Sequence, residues 1–401
     1  MPHRYGDSAT RPAGWLGGKR GHRARPFEWL AEKGIFLVSL SAIVLVFLIF
    51  LFVGREALPV FLGQTSSAAV QEVIPAAELG RLLKEEPERL RRYLDVKPAQ
   101  FAKLRVETGH ETLKTLMEVK EEEGKEAPKD KDARLNTAQW RYLVGPYQWT
   151  GYDKPERIWQ PISQIHKYNI VPLVIGSLKT TVVALLFAVP ISLGAAIFVS
   201  QLCPPSLKEW LKPGIELLAG IPSVVLGFFA LIVMATLLQK LFGYASRLNA
   251  FVAGIALGVA VIPVVFSIAE DALTSVPRTY TQAALALGAT RWEAAWQVVL
   301  PAALPGVFAA VVLGFGRAIG ETMVVLMASG NASIVSASLF DSTRTVTATI
   351  AAELAEAVFG GHHYRLLFML GTLLFVVTFC SNWIASAVIH GLKRKLEGNA
   401  R

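Results

Sequence analysis

Cysteine is nearly absent from this chain: Cys203 and Cys380 are the two among 401 residues. Two thiols so far apart supply neither a disulfide framework nor a metal site. Charge is scarce as well, at 18% of residues against 53% hydrophobic, with a mean hydropathy of +0.42. That balance excludes an ordinary water-soluble domain. No G-x-x-x-x-G-K-[ST] run occurs, so the chain lacks the backbone cradle on which nucleotide hydrolysis is commonly built. No nucleophile–base set stands out either, and the chain reads as no enzyme. His362 and His363 are adjacent but have no Cys or carboxylate at ligand spacing, so they read as loop residues and no metal is expected.

A surplus exists only in positive charge, a net +9. Nucleic acid is excluded as its partner, because the excess sits mostly at the two termini, beside apolar runs. That is the positive-inside pattern of a membrane protein. Met1–Lys33 holds seven Lys/Arg against three acidic residues. The run Gly34–Val53 that follows is too long for a signal-peptide core, and no small-residue cleavage site closes it, so it reads as a first span and signal anchor. Five more spans are expected at about Val174–Ser200, Leu218–Leu241, Ala250–Ile268, Pro305–Met327 and Leu366–Ile389. Pro190, Pro222 and Pro263 inside them suggest broken or kinked helices packed in a bundle. Six spans put both termini in the cytoplasm, with the Lys393–Lys395 tail in agreement. The resulting order is a basic segment over 1–33, a first span and exit over 34–63, an extracytoplasmic insert over 64–168, a core of five spans over 169–392 and a basic tail over 393–401.

The insert is charged with both signs. Two amphipathic helices are expected in it, at about Ala76–Leu94 (Leu79, Leu82, Leu83, Leu90, Leu94) and Ala99–Lys120 (Phe101, Leu104, Leu113, Leu116, Met117). Glu121–Asp132 reads as a solvated linker. The aromatics Trp140, Tyr142, Tyr147, Trp149, Tyr152 and Trp159 follow. This region is either an amphipathic cap with an interfacial aromatic belt or a docking surface for a soluble protein. The cap is the simpler reading, since the charges are too mixed to attract an anion. Farther on, a polar-faced helix is expected within Thr343–Phe359.

The most informative stretch is Tyr280–Glu321. Gln282–Leu287 is helix-forming, and Gly288 can close that helix in a left-handed conformation. Thr290 with Glu293 three residues on is a capping box for a second short helix, expected to end by Leu300, before Pro301. Then comes an apolar helix carrying Arg317 and Glu321. Four residues apart, they would share one face. Arg317 would lie roughly 18 Å into its span at 1.5 Å per residue, near mid-membrane. An arginine there costs about 2.5–3.5 kcal/mol, so both charges should face the bundle interior. Gly316 and Gly320 form a small-xxx-small spacing that admits a neighbouring helix. The pair either neutralises itself and holds helices together, or Arg317 offers a planar fork to a passing oxyanion while Glu321 holds it.

Gln282, Ala283, Ala284, Gly288, Val298, Leu300 and Pro301 resemble the EAA loop of ABC-importer permeases, with Gln282 for Glu and Val298 for Ile as departures. Gly316–Val325 (GRAIGETMVV), Glu216–Leu231, Ser336–Phe340 and Arg55–Pro59 resemble the C-type permease subunits of phosphate-specific importers. The resemblance implies the all-α fold of a type I ABC importer permease: a polytopic membrane helix bundle of six transmembrane spans with cytoplasmic EAA-type coupling helices. It implies that the loop at 274–300, with Gln282, Ala283, Ala284, Gly288, Thr290, Glu293, Leu300 and Pro301, docks on a separate ATPase subunit. It places Arg317, Glu321 and Thr322 on the substrate path. No cofactor is expected on this chain, ATP being hydrolysed by the partner. The other expected partners are a second homologous permease, an extracytoplasmic phosphate-binding protein and the bilayer of the cell (inner) membrane. Import of another oxyanion, molybdate or sulfate, and a membrane sensor acting through the insert remain as alternatives. A sensor needs no intramembrane charge, whereas this chain carries two.

Overall fold

The computed structural model describes residues 26–67, 75–94, 96, 101, 102, 104, 111–126 and 131–398. Most of the basic segment, much of the second insert helix and the end of the tail lie outside the described residues. Contacts divide the chain into two units, 1–52 and 53–401. Helix α1 (Pro26–Phe61) supplies the first unit's described part, and its apolar run from Ile35 to Phe52 is exposed throughout. Within the second unit, Ala57 and Val60 of its last turns are buried with Leu366, Leu367 and Leu370.

The insert begins with α2 (Leu79–Glu85) and α3 (Pro87–Tyr93), continues with α4 (Glu111–Glu126) and ends near α5 (Trp140–Val144). The expected single helix over 76–94 is broken at Glu86, because Pro87 has no N–H to continue it. Its leucines and the apolar residues of the second set nevertheless form one small core: Leu79, Leu82, Leu83, Leu90, Leu94, Phe101, Leu113 and Met117. The two ends of this excursion are pinned together. Asn136 Oδ1 accepts from Ser67 N at 3.1 Å, Asn136 Nδ2 donates to the Thr65 carbonyl at 2.8 Å, and Ser67 Oγ accepts from Ala138 N at 3.0 Å.

The expectation of a solvated linker at Glu121–Asp132 is corrected. Residues 121–126 continue α4, and Asp132 is 1% exposed in a 3-10 turn at Lys131–Arg134. Asp132 Oδ1 accepts from Tyr147 Oη at 3.0 Å, and Oδ2 accepts from Thr150 N at 2.7 Å and Thr150 Oγ1 at 2.9 Å. Local charge density suggested solvent, but three donors from farther along the chain make burial affordable. A two-stranded hairpin, β1 (Trp159–Gln160) with β2 (Lys167–Tyr168), then leads into the bundle.

Among the described residues, six helical stretches are long and apolar enough to cross a membrane: Lys33–Phe61, Val171–Leu202, Ser223–Phe242, Ala250–Thr274, Arg291–Gly320 and His362–Gly391. After the insert come α6 (Val171–Ile197), the amphipathic α7 (Pro205–Leu217), α8 (Ser223–Phe229), α9 (Ala235–Phe242) and α10 (Ala250–Thr274). The hairpin α11 (Arg278–Ala286) and α12 (Arg291–Ala294) precedes α13 (Leu300–Gly320), α14 (Met323–Ala328), α15 (Val346–Glu353) and α16 (His362–Gly398). Pro222 caps the start of α8, so the third span begins later than expected, whereas Pro190 and Pro263 lie inside α6 and α10. The histidines at 362 and 363 open α16 rather than sitting in a loop.

Helix α10 is the centre of the main core. Asn249 caps it, its side chain accepting from Val252 N at 2.9 Å. Gly254 and Gly258 face α6: a Cβ on the first would meet Val183 at 2.5 Å, and one on the second Phe187 at 2.8 Å. On α13, Gly306 meets Ala272 and Gly314 meets Val265, each at 2.5 Å. These four glycines make the close approaches of α10 to α6 and α13. Gly316 has only Asn382 at 3.8 Å, and Gly320 has nothing within 4 Å.

Burial raises the Asp132 carboxyl pKa, but the Thr150 and Tyr147 hydrogen bonds more than offset it and hold the group below its ordinary value. Tyr147 in turn is pushed up to about 12, by burial first and by this hydrogen bond second. A depressed folded pKa gives stability that is complete above the unfolded value, about 3.9, and is lost as pH falls through the folded value. The Thr150 amide should therefore keep its hydrogen-exchange protection factor down to about pH 4 and lose it below. Asp132→Asn should lower protection at neutral pH and abolish that acid dependence. A pH-independent wild-type protection factor would contradict the assignment.

Candidate functional site

The hairpin of α11 and α12 is built from local signals. Pro277 starts α11, and Gly288 closes it with φ +93°. Gly288 N donates to the Leu285 carbonyl at 3.0 Å and Ala289 N to that of Ala284 at 3.1 Å, satisfying the helix end. Thr290 Oγ1 accepts from Glu293 N at 3.2 Å while Glu293 Oε2 accepts from Thr290 N at 2.8 Å, a complete capping box. Gln282 and Ala283 are exposed, but Ala284 is buried within the chain.

The second helix does not end by Leu300. It runs from α12 through a π-helical turn, Ala295–Val299, directly into α13, making one stretch from Arg291 to Gly320. Leu300 N donates to the Ala295 carbonyl, five residues back. Pro301 follows within the first turn of α13, where the widened ladder tolerates its missing N–H. Sequence reasoning missed the apolar surface of this hairpin. Leu287 is 90% exposed, and Trp292 and Trp296 are exposed and stacked, with centroids 6.0 Å apart. The four-residue spacing of the tryptophans was the available signal.

Arg317 and Glu321 do not share a helix, which corrects the expectation of a paired face. Helix α13 ends at Gly320, and Glu321 is extended, with φ −69° and ψ 135°. Thr322 precedes the short α14. Glycines at 314, 316 and 320 weaken the helix here, and the Glu321 carboxylate takes up the Thr322 N–H at 3.2 Å. The freed Glu321 carbonyl accepts from Thr347 Oγ1 of α15 at 2.9 Å. Nothing local in sequence marks Thr347, 26 residues away.

The packing register places this break along the bundle. Gly306 faces Ala272, Gly314 faces Val261 and Val265, and Gly330 approaches the Leu248 carbonyl. Helix α14 therefore continues the direction of α13 beyond the break. Val261 and Val265 lie near the middle of the 25-residue α10, and Arg317 is one turn beyond Gly314. Arg317 is exposed and has no hydrogen-bond or ion-pair partner among the described residues; Glu321 and Thr322 are half-buried. Against α14 lies α8, where a Cβ on Gly227 would sit 3.1 Å from the Met323 carbonyl and 3.2 Å from Val324 Cα. The segment Ser336–Phe340 lies elsewhere: Phe251 N donates to the Leu339 carbonyl at 2.9 Å, and Lys179 Nζ donates to the Ser336 carbonyl at 3.1 Å.

A second buried cluster went unforeseen. Glu353 accepts from Trp159 Nε1 at 3.1 Å, pairs with Arg344 Nη2 at 2.8 Å and lies 3.5 Å from His363 Nε2. Burial raises its carboxyl pKa more than Arg344 and Trp159 lower it. The cluster ties α15, the start of α16 and the β-hairpin together. Among the described residues no group of His, Cys, Asp and Glu is arranged to hold a metal ion.

A family model described as "Binding-protein-dependent transport system inner membrane component" matches residues 188–394. The chain is 36% identical over 221 residues to the "Probable ABC transporter permease protein YqgH" of Bacillus subtilis (strain 168), covering 55% of this chain and 72% of that protein. It is 37% identical over 240 residues to the "Phosphate transport system permease protein PstC" of Mesorhizobium japonicum, covering 55% and 72%. A Xylella fastidiosa (strain 9a5c) protein of the same description is 36% identical over 261 residues, covering 60% and 79%.

The hairpin yields a stability prediction. A β-branched residue held at the Gly288 conformation is strained by about 1–2 kcal/mol. Gly288→Val should lower hydrogen-exchange protection over Ala284–Glu293 by about 5- to 30-fold while leaving α10 unchanged. Equal protection in the two proteins would mean that the turn does not depend on the left-handed glycine.

Proposed function

We propose, from the premise that this chain belongs to the family of binding-protein-dependent transport system inner membrane components, that it is the permease subunit of an ATP-driven phosphate importer. It forms half of a translocation path and works with a second, homologous permease, a dimer of ATPase subunits and an extracytoplasmic phosphate-binding protein. Both termini and the α11–α12 hairpin are cytoplasmic, and the insert is outside. ATP is hydrolysed by the partner, toward which the hairpin presents Leu287, Trp292 and Trp296.

The observation that carries this reading is Arg317, without a partner among the described residues, beside the helix break at Glu321. An arginine on an apolar helix is too costly to face hydrocarbon, and its tolerated settings are a protein interface or a water-filled path. Broken helices with satisfied backbone mark substrate sites in transporters. The exposed face of α13 is then the side turned to the second permease and the solute. Arg317's guanidinium presents donors in a planar fork that matches phosphate oxygens. Glu321, one residue past the helix end, offers a nearby negative charge that keeps the anion from binding too tightly to leave. Thr322 adds a hydroxyl beside them.

Uptake of labelled phosphate by the assembled importer tests this. Arg317→Gln should assemble normally but lose uptake by about tenfold or more, since charge-assisted hydrogen bonds contribute about 1.5–3 kcal/mol each. Arg317→Lys should retain part of it, keeping the charge but not the fork. Uptake by Arg317→Gln within about twofold of wild type would remove Arg317 from the substrate path, and faster uptake of sulfate or molybdate than of phosphate would change the solute.

A further inference from the structure

Helix α7 is clamped to the end of α10 by a buried carboxylate. Glu270 is 1% exposed, and Lys208 Nζ and Lys212 Nζ each lie 2.6 Å from one of its oxygens. Thr274 Oγ1 donates to Oε1 at 2.8 Å, and Lys212 also reaches Asp271 at 3.1 Å. One turn back, Ser267 Oγ donates to Glu216 Oε1 at 3.2 Å. Lys208, Lys212 and Glu216 recur every four residues on α7, and Ser267, Glu270, Asp271 and Thr274 line one stripe of α10. Leu211 and Ile215, between them on α7, pack on the main core. The two helices are thus joined by two full turns of matched contacts, with a charge cluster that cannot be half-broken cheaply.

What each helix leads to gives the clamp its meaning. Three residues after Thr274, Pro277 starts α11 of the exposed hairpin. At the other end, α7 passes through Leu218–Gly220 and Pro222 into α8, whose Gly227 sits against Met323 and Val324, next to Thr322. An unbroken series of packed contacts therefore runs from the hairpin, through α10 and the clamp, to the helix break beside Arg317.

We propose that Glu270, held by Lys208 and Lys212, is a positioning residue that makes the hairpin stem and the α7–α8 elbow move as one body, so that displacement of the hairpin reaches the Glu321–Thr322 break. This rests on the permease reading above. Without the clamp, the hairpin moves while α8 stays, and hydrolysis proceeds without transport.

The test uses the assembled importer with Glu270→Gln, and with Lys208→Arg and Lys212→Arg together as the charge-conserving control. Three quantities are read: complex recovered, rate of ATP hydrolysis, and phosphate moved per ATP. For Glu270→Gln the first two should stay within about threefold of wild type while the third falls about tenfold or more; the arginine pair should keep all three within about threefold. Unchanged phosphate per ATP in Glu270→Gln overturns the proposal, as does a joint fall of all three quantities, which would make the clamp structural only. A wild-type complex that hydrolyses ATP but moves no phosphate overturns the solute assignment instead. The clamp is then judged on the full-length chain by hydrogen exchange. Protection of Arg278–Ala286 should fall about tenfold in Glu270→Gln with α16 unaffected, and unchanged protection there overturns it.

Discussion

A chain that crosses an apolar layer must satisfy its own backbone, and this requirement decides where the present bundle bends. A helix interior does so automatically. At both ends of α13 the described contacts show how the interrupted ladder is met. The Glu321 carbonyl, released by the end of α13, is taken by Thr347. At Ala295–Val299 the ladder widens to five-residue bonds, so that Pro301 enters the next turn without leaving a kink unsupported. The break at Glu321 lies one turn past Arg317, which has no hydrogen-bond or ion-pair partner among the described residues.

Close helix packing holds the break in place. Helix α10 is pressed between α6 and α13 through Gly254, Gly258, Gly306 and Gly314, with side chains of the facing helices at contact distance from each. Side chains at these positions would force the backbones apart, so the register between α10 and α13 is fixed to within a residue. Register is what places Arg317 opposite the middle of α10. The same helix carries Glu270 at its far end, so one rigid element spans the distance from the exposed hairpin to the depth of the break.

Much of this was legible in sequence where the cause is local. Gly288 as a left-handed stop and Thr290 with Glu293 as a capping box depend on neighbours within three residues, and both are present. The leucine sets of the insert follow helical periodicity and form one core, although Pro87 divides the first helix. Local reading failed where a distant partner decides. Arg317 and Glu321 have helical spacing, yet Thr347 and the Glu321 carboxylate favour an extended residue at 321. Asp132 sits in a charged run, but Tyr147 and Thr150 draw it inside. The small-residue spacing at Gly316 and Gly320 is a valid packing signal in kind, and within this chain the contacts are made by other glycines. Those two glycines flank Arg317 on α13, where no neighbour within the chain approaches closer than Asn382 at 3.8 Å.

The proposed permease role puts the Glu321–Thr322 break, at the end of α13, on the solute path. The most direct measurement is thiol accessibility in the assembled importer, with Cys203 and Cys380 replaced. Thr322→Cys should react with a small water-soluble thiol reagent, and saturating phosphate should slow that reaction about tenfold. Ala310→Cys, on the buried face of α13, should not react. An unreactive Thr322→Cys, or one that reacts equally fast with and without phosphate, would contradict the account.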